Sequence, residues 1–212
     1  MKKEHKFFER FLENDLDSLY NYLELKQLEL LDGKIGNVPQ ETLSKYNTYN
    51  GPTTQLGMFY NVFNFDHQGI KALKDALKEI VGEAAEYYGI DFEKMQYKIH
   101  GWYNLDPKTE GESGVKVNPL KNKVFMHDHM GGEGAPVFHG YYCVNAEPSI
   151  TYYNINNETP FENHNKNNRA IVSETGHPHG RDDWYEDKPR ITIAYDIAPP
   201  GPETENGVWI DL

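Results

Sequence analysis

The chain has 212 residues, enough to bury one full-sized core, and 13% of them are aromatic, which argues against disorder. Its formal net charge is −12, and because Lys and Arg are scattered without a basic run, nucleic acid is disfavoured as a partner. Cys143 is the only cysteine, so no intrachain disulfide can form, which fits a reducing cytoplasm. The start of the chain is charged and no run of about 18 apolar residues occurs, so no membrane partner is expected. The sequence therefore predicts one cytoplasmic domain over residues 1–212.

The first predicted element is an amphipathic helix from Asp15 to Leu31. Asn14 or Asp15 can cap its start, and Gly33 can end it. The stretch from Asp32 to Met58 is rich in Gly, Pro, Thr, Asn and Ser and is predicted to be a long loop. Such a loop is either a substrate lid or a surface connector.

A second amphipathic helix is predicted next, because apolar residues recur at three- and four-residue steps from Ile70 to Ala84. Asp66 is the expected cap and Gly89 the expected C-terminal stop. Residues 1–90 are therefore predicted to form a helical lead-in and loop.

Short segments rich in Tyr, Ile and Val follow, separated by Gly, Pro and Asn turns. They are KIHGWYNL, KVFMH, FHGYYCVN, ITYYNI, RAIVSE and RITIAYDI. No helical period lies between them, so parallel crossovers are not implied. The pattern predicts an α+β domain whose core, residues 91–199, is an antiparallel sandwich or barrel, with residues 200–212 as a surface tail.

Two pairs of histidines have the spacing i, i+2: His127 with His129, and His177 with His179. On an extended strand such residues share a face, so His127 and His129 can chelate one ion while Asp128 points away. Imidazole ligands suit Fe, Zn, Cu or Ni. A second histidine pair at another predicted strand end favours a metal site, although His177 and His179 lie in a polar segment where they could simply be solvated.

Other catalytic patterns are weak. No GxSxG or GxGxxG occurs, and Cys143 lies in an apolar strand, where a thiol is usually inert. His139 and His164 carry no supporting pattern and are predicted to be structural or exposed.

The order of the remaining motifs resembles the Fe(II)- and 2-oxoglutarate-dependent oxygenases, especially the prolyl-hydroxylase-like branch and its small relatives with a WxN element. The similarity covers Trp102 to Pro199, and the opening KFFERFLENDLDSLYNYL resembles the family's lead-in strand and helix. Its most specific part is an Asn-Arg pair that starts a strand, a histidine that ends it and an Arg-x-Thr beyond. These residues are Asn168, Arg169, His179, Arg190 and Thr192.

The resemblance implies a double-stranded β-helix (jelly-roll) and a dioxygenase that uses Fe(II), 2-oxoglutarate and O₂. The substrate would be a peptide, an amino acid or another small molecule. The implied metal ligands are His127, His129 and His179. Arg190 and Thr192 would bind the far carboxylate of 2-oxoglutarate, with Asn104 and Tyr142 as weaker candidates for the same pocket.

One position departs from the family pattern, in which the ligands are HxD and a distal histidine. The third residue here is His129, an exchange that the small relatives tolerate. A neutral imidazole leaves the site one unit more positive than a carboxylate would. Asp128 is the alternative carboxylate ligand if the strand bulges there.

Two other functions stay open. The spacing His127-x-His129-x₃-Glu133-x₆-Gly140 matches the first motif of cupin-type metal enzymes, such as dioxygenases and isomerases. The second cupin motif fits poorly, and Arg190-x-Thr192 has no role in a cupin. The third candidate is a metal-binding β-barrel without catalysis. Neither the substrate nor the oligomeric state is indicated.

Overall fold

The computed structural model describes residues 3–46, 56–109, 126–129, 137–155, 160–205 and 207–212. Its strands are β1 (Phe8–Phe11), β2 (Lys98–Asp106), β3 (Phe138–Asn145), β4 (Ile150–Tyr153), β5 (Phe161–His164), β6 (Arg169–Glu174), β7 (His179–Arg181), β8 (Arg190–Ala198) and β9 (Ile210–Asp211). Over these residues a six-stranded sheet has the order β1-β6-β3-β8-β2-β9, and a three-stranded sheet has the order β5-β4-β7. The predicted mixture of helices and antiparallel strands is confirmed.

The helices are α1 (Leu16–Leu31), α2 (Gln40–Tyr46), α3 (Gln68–Tyr88) and α4 (Phe92–Met95), with 3-10 turns at Gly57–Phe59, Val62–Asn64 and Pro202–Thr204. Helix α1 confirms the helix predicted from Asp15 to Leu31. Asp15 is its N-cap, and the Asp15 carboxylate accepts a hydrogen bond from the Ser18 amide at 3.0 Å.

Helix α2 corrects the prediction of a continuous loop from Asp32 to Met58. Its first turn forms on Pro39, whose carbonyl accepts from the amides of Thr42 and Leu43, and the Leu43 side chain is buried. One buried leucine gives too short an apolar period to read from the sequence. Residues 47–55 of the same segment lie outside the described residues.

Helix α3 has a different cap from the one expected. His67 is the N-cap, and its Nδ1 accepts from the Gly69 amide at 3.0 Å, whereas Asp66 pairs with Lys71. The sequence rule favours Asp because histidine is an unusual cap. Gly89 ends the helix in the left-handed conformation, as predicted, with a φ of 74°.

The six-stranded sheet is covered on both faces. On one face α1 and α3 pack against it, and the side chains buried there include Leu19, Leu23, Leu73, Leu77, Tyr103, Ile193 and Tyr195. The other face, called the inner face below, packs Tyr141, Cys143 and Ile171 against Tyr153 of the smaller sheet. Burial raises the pKa of Cys143 to about 11, consistent with an inert thiol.

The C-terminal tail corrects another prediction. Instead of only lying along the surface, it adds β9 to the edge of the large sheet, where Ile210 pairs with Ile99. The Leu212 amide then donates to the Tyr97 carbonyl at 3.0 Å. In the parts of the chain that the structure describes, no helix is long and apolar enough to span a membrane.

Candidate metal centre

Three histidines converge beside the inner face. The backbones of His127 and His179 form two hydrogen bonds to each other, with N···O distances of 3.0 and 2.8 Å. Lys123 to Phe125, the start of the strand predicted before His127, lie outside the described residues. One ligand nitrogen from each of His127, His129 and His179 lies within 4.8 Å of the others. Asp128 is exposed and is not part of this group. The cluster can therefore hold a metal ion with imidazole ligands alone.

The protonation of the cluster suits a metal. Burial lowers the pKa of His179 to about 3, with a further contribution from the neighbouring His127 and His129. The ring is therefore neutral at physiological pH, and a neutral imidazole has the lone pair that a metal ligand needs.

A carboxylate supports His129 from behind. Oδ1 of Asp196, on β8, lies 2.7 Å from Nδ1 of His129. Trp102 stacks on the same imidazole, with ring centroids 6.1 Å apart and planes 15° apart. A carboxylate behind a histidine ligand fixes its orientation and raises its basicity. Asp196 is a site residue that the sequence analysis missed.

Strand β8 brings the second part of the site to the inner face. Alternate residues Arg190, Thr192 and Asp196 share that face, and the neighbouring strand β2 places Asn104 opposite Thr192. Asn104 Nδ2 lies 3.4 Å from Thr192 Oγ1. The predicted residues Arg190, Thr192 and Asn104 are therefore together.

The Arg190 guanidinium is buried in a polar network. It donates to Ser149 Oγ at 3.1 Å and to Asp106 Oδ2 at 3.0 Å. The other oxygen of Asp106 lies 2.8 Å from Nη2 of Arg181. Asp182 follows Arg181 in the chain and lies near both arginines. Its burial is the largest effect and raises the pKa of its carboxyl, although Arg190 and Arg181 favour the charged form. Asp106 and Arg181 are further residues that the sequence analysis missed.

The structure does not bring Tyr142 into this network. Tyr142 lies on the helix-covered face, where its hydroxyl accepts from Asn14 Nδ2 at 3.0 Å and donates to Asn168. Because successive residues of a strand point to opposite faces, Tyr141 is the tyrosine of β3 that lies on the inner face. Arg169 is likewise structural, since it binds Asn163 at 2.8 Å.

Two further histidines, His139 and His164, are expected from the sequence to be structural or exposed. His139 is buried, 4.7 Å from the His179 ring by centroid distance, and its Nε2 lies 3.1 Å from Ser173 Oγ. His164 is exposed. His177 instead joins a second group with His5 and Glu174.

Two residues of the cupin-like spacing, Glu133 and Gly140, give no support for a cupin site. Glu133 lies outside the described residues. A glycine is needed at position 140 for a steric reason, because a Cβ there would lie 1.8 Å from the Ile171 carbonyl oxygen. The glycine is thus required for the close approach of β3 and β6, whatever the function.

The chain resembles known proteins in fold rather than in sequence. No family model matches the sequence, and no curated protein matches it. Among solved structures, a prolyl-4-hydroxylase of Pseudomonas putida has a TM-score of 0.54 at 8% identity, covering 93% of this chain and 94% of its own. The two chains share a fold. The expected similarity to Fe(II)- and 2-oxoglutarate-dependent oxygenases is thereby confirmed at the level of the fold.

Two further structures are more distant. A full-length protein of Neurospora crassa, in complex with α-ketoglutarate and thymine, has a TM-score of 0.47 at 12% identity, with 97% of this chain and 83% of that one covered. An oxidoreductase of the 2OG-Fe(II) oxygenase family from Burkholderia pseudomallei has a TM-score of 0.42 at 10% identity, with coverages of 89% and 92%.

Proposed function

We propose that the protein is an Fe(II)- and 2-oxoglutarate-dependent dioxygenase that hydroxylates a small molecule, an amino acid or a peptide. One observation carries this proposal: three convergent imidazoles lie beside the inner face of the large sheet, which carries a buried arginine, in a fold shared with a prolyl hydroxylase. The cytoplasmic location stays a prediction.

The proposal includes a double-stranded β-helix over residues 91–199, within a single domain. The order in which the chain visits the two sheets supports it. The chain passes from β2 in the large sheet to the His127 bridge beside β7, and then returns to β3. It next visits β4 and β5 in the small sheet, β6 in the large, β7 in the small and β8 in the large, an alternation typical of a jelly-roll.

The donor set fits Fe(II). His127, His129 and His179 would be its ligands, and three ligands leave positions open for a co-substrate and O₂, which together with the metal would supply the oxidising chemistry. The customary carboxylate ligand is absent from this trio. Asp196, at 2.7 Å from His129, instead places a negative charge immediately behind the ligand shell.

The arginine network fits a dicarboxylic co-substrate. Arg181 and Arg190 share the single carboxylate of Asp106, so their guanidinium groups retain capacity for a second carboxylate. Arg190 would bind the far carboxylate of 2-oxoglutarate, and Thr192 would donate to it. Asn104 would position Thr192.

One observation favours a metal-binding barrel without catalysis. Asp106 already pairs with Arg190 at 3.0 Å, so the arginine has a partner without any co-substrate. A cupin-type enzyme would instead bind its metal through Glu133, and Glu133→Gln would then remove the metal.

The test is aerobic turnover of 2-oxoglutarate by the Fe(II)-loaded protein, measured as succinate. Wild type should form succinate slowly even without its substrate, and Arg190→Lys should raise the apparent KM for 2-oxoglutarate at least about tenfold, because a point charge replaces a bidentate fork. The control Tyr142→Phe removes a hydroxyl on the opposite face and should leave that KM unchanged. Metal that raises the Tm while no succinate forms would refute the proposal.

A further inference from the structure

A second group of metal-ligating side chains lies outside the centre described above. It consists of His5, Glu174 and His177, whose ligand atoms all lie within 4.8 Å of one another. His5 precedes β1, Glu174 ends β6, and His177 lies in the turn that leads into β7. The group therefore joins the N-terminal segment to the turn that presents His179.

The distances within the group are those of ligands around a common ion. Glu174 Oε1 lies 3.8 Å from His5 Nδ1 and 3.5 Å from His177 Nε2. Both separations are too long for good hydrogen bonds, which need about 2.7–3.2 Å. Two ligands bound tetrahedrally to zinc at about 2.1 Å each would lie about 3.4 Å apart.

The second observation concerns His5 alone. Its side chain is only 5% exposed, and neither Nδ1 nor Nε2 has a hydrogen-bond partner among the described residues. The ring instead meets His177 edge-on, with centroids 4.3 Å apart. A buried imidazole with both nitrogens unsatisfied is costly, and a metal bond to one nitrogen would relieve part of that cost.

We propose that His5, Glu174 and His177 form a second divalent-metal site, able to bind Zn²⁺, that fastens the N-terminal segment to the turn before β7. Two imidazoles and one carboxylate are a favourable zinc donor set, with a water as the fourth ligand. The site needs neither 2-oxoglutarate nor any residue of the His127, His129 and His179 centre.

Aromatic contacts extend from this site toward His179. Phe7 lies edge-on to the His5 ring at 4.8 Å and stacks on Phe161 at 5.2 Å. Phe7 also contacts Tyr153 at 4.8 Å, and Tyr153 stacks on His179 at 5.3 Å. Zinc at the second site would therefore stabilise the packing around the distal histidine.

The test is the stoichiometry of Zn²⁺ on the metal-free full chain, measured by equilibrium dialysis and elemental analysis. Wild type should bind two equivalents. His5→Ala and the nearly isosteric Glu174→Gln should each bind one, and His127→Ala should also bind one. The double variant His127→Ala/Glu174→Gln should bind none tightly. The control His164→Ala, which removes an exposed histidine, should retain two.

Thermal unfolding separates loss of the site from loss of the fold. Zinc should raise the Tm of His127→Ala, because only the second site remains there, and should not raise that of the double variant. If wild type binds a single equivalent that Glu174→Gln retains, the second site is refuted and the first is kept. A single equivalent lost in Glu174→Gln but kept in His127→Ala would support the second site and remove the basis of the proposed function.

Discussion

A carboxylate lies directly behind one of the three clustered histidines, His129, in a group that lacks the carboxylate ligand customary for a non-haem iron site. Because Oδ1 of Asp196 lies 2.7 Å from His129 Nδ1, the negative charge is present but acts through the ring. A carboxylate in this position orients a metal-ligating imidazole and makes it a stronger donor to the metal. At the proposed metal centre the charge would therefore be close to that of the usual ligand set, with the carboxylate one layer further out.

Asp196→Asn tests that role. We expect the affinity for Mn²⁺ or Fe²⁺ to fall about 10- to 100-fold, the range typical of outer carboxylate partners of metal-ligating histidines. Anaerobic calorimetric titration of the metal into the apo-protein measures it. The matched control is Asp128→Asn, whose exposed carboxylate is outside the histidine cluster and whose loss should leave the affinity unchanged. The reverse pattern would make Asp128 the third ligand.

At this scale the sequence is informative where chemistry follows local spacing. The i, i+2 rule predicts the common face of His127 and His129, and the structure places both beside His179. Asp196, Asp106 and Arg181 escape such reasoning because their roles depend on which strands are neighbours. Alternation along β3 puts Tyr141 and Tyr142 on opposite faces, but only the structure shows that Tyr141 is the one on the inner face.

At the scale of elements, the contact between β3 and β6 constrains the large sheet most tightly. Gly140 faces the Ile171 carbonyl oxygen, and a Cβ there would also lie 2.8 Å from the Tyr195 ring. The Tyr195 hydroxyl donates to that same carbonyl at 2.8 Å. The strands can approach this closely only because residue 140 lacks a side chain.

Gly140→Ala should therefore destabilise the protein by more than about 3 kcal/mol, since backbone rather than a flexible side chain must move. Urea unfolding followed by circular dichroism measures the change. Gly82→Ala is the control, because a Cβ at that position of α3 meets nothing within 4 Å and should stabilise by up to about 1 kcal/mol. Equal stabilities for the two variants would contradict this packing.

The elements that the sequence predicts well are those with long apolar periods. Helices α1 and α3 repeat over four turns or more, and their buried leucines follow that period. Helix α2 has one buried leucine, and β9 has two residues, so neither carries a pattern. Strand β9 owes its structure to pairing with β2, far away in the chain.

At the scale of the molecule, the buried histidines couple stability to pH. Burial lowers the pKa of His179 to about 3 and that of His5 to about 4, and it also lowers the pKa of His139. In the unfolded chain these histidines become protonated as the pH falls through about 6.5, whereas in the folded chain they stay neutral. The unfolded state therefore binds more protons, and folding stability falls as the pH drops below about 6.5.

We expect the metal-free protein to lose at least about 1.4 kcal/mol of unfolding free energy between about pH 7.5 and pH 5.5, the loss for one histidine that stays neutral. Urea unfolding at both pH values measures it. His179→Gln should reduce the loss, whereas the exposed His164→Ala should leave it unchanged. A stability independent of pH over this range would show that the histidines titrate normally in the folded state.

We propose that the three histidines and Arg190 form one site for a metal and 2-oxoglutarate. The most direct measurement is anaerobic titration of the full chain with Fe(II) and then 2-oxoglutarate, followed by visible absorption. Wild type should develop a metal-to-ligand charge-transfer band only when both are present. The band should vanish in His179→Ala and weaken sharply in Arg190→Ala. A wild-type protein that binds Fe(II) but gives no band with 2-oxoglutarate would contradict the claim.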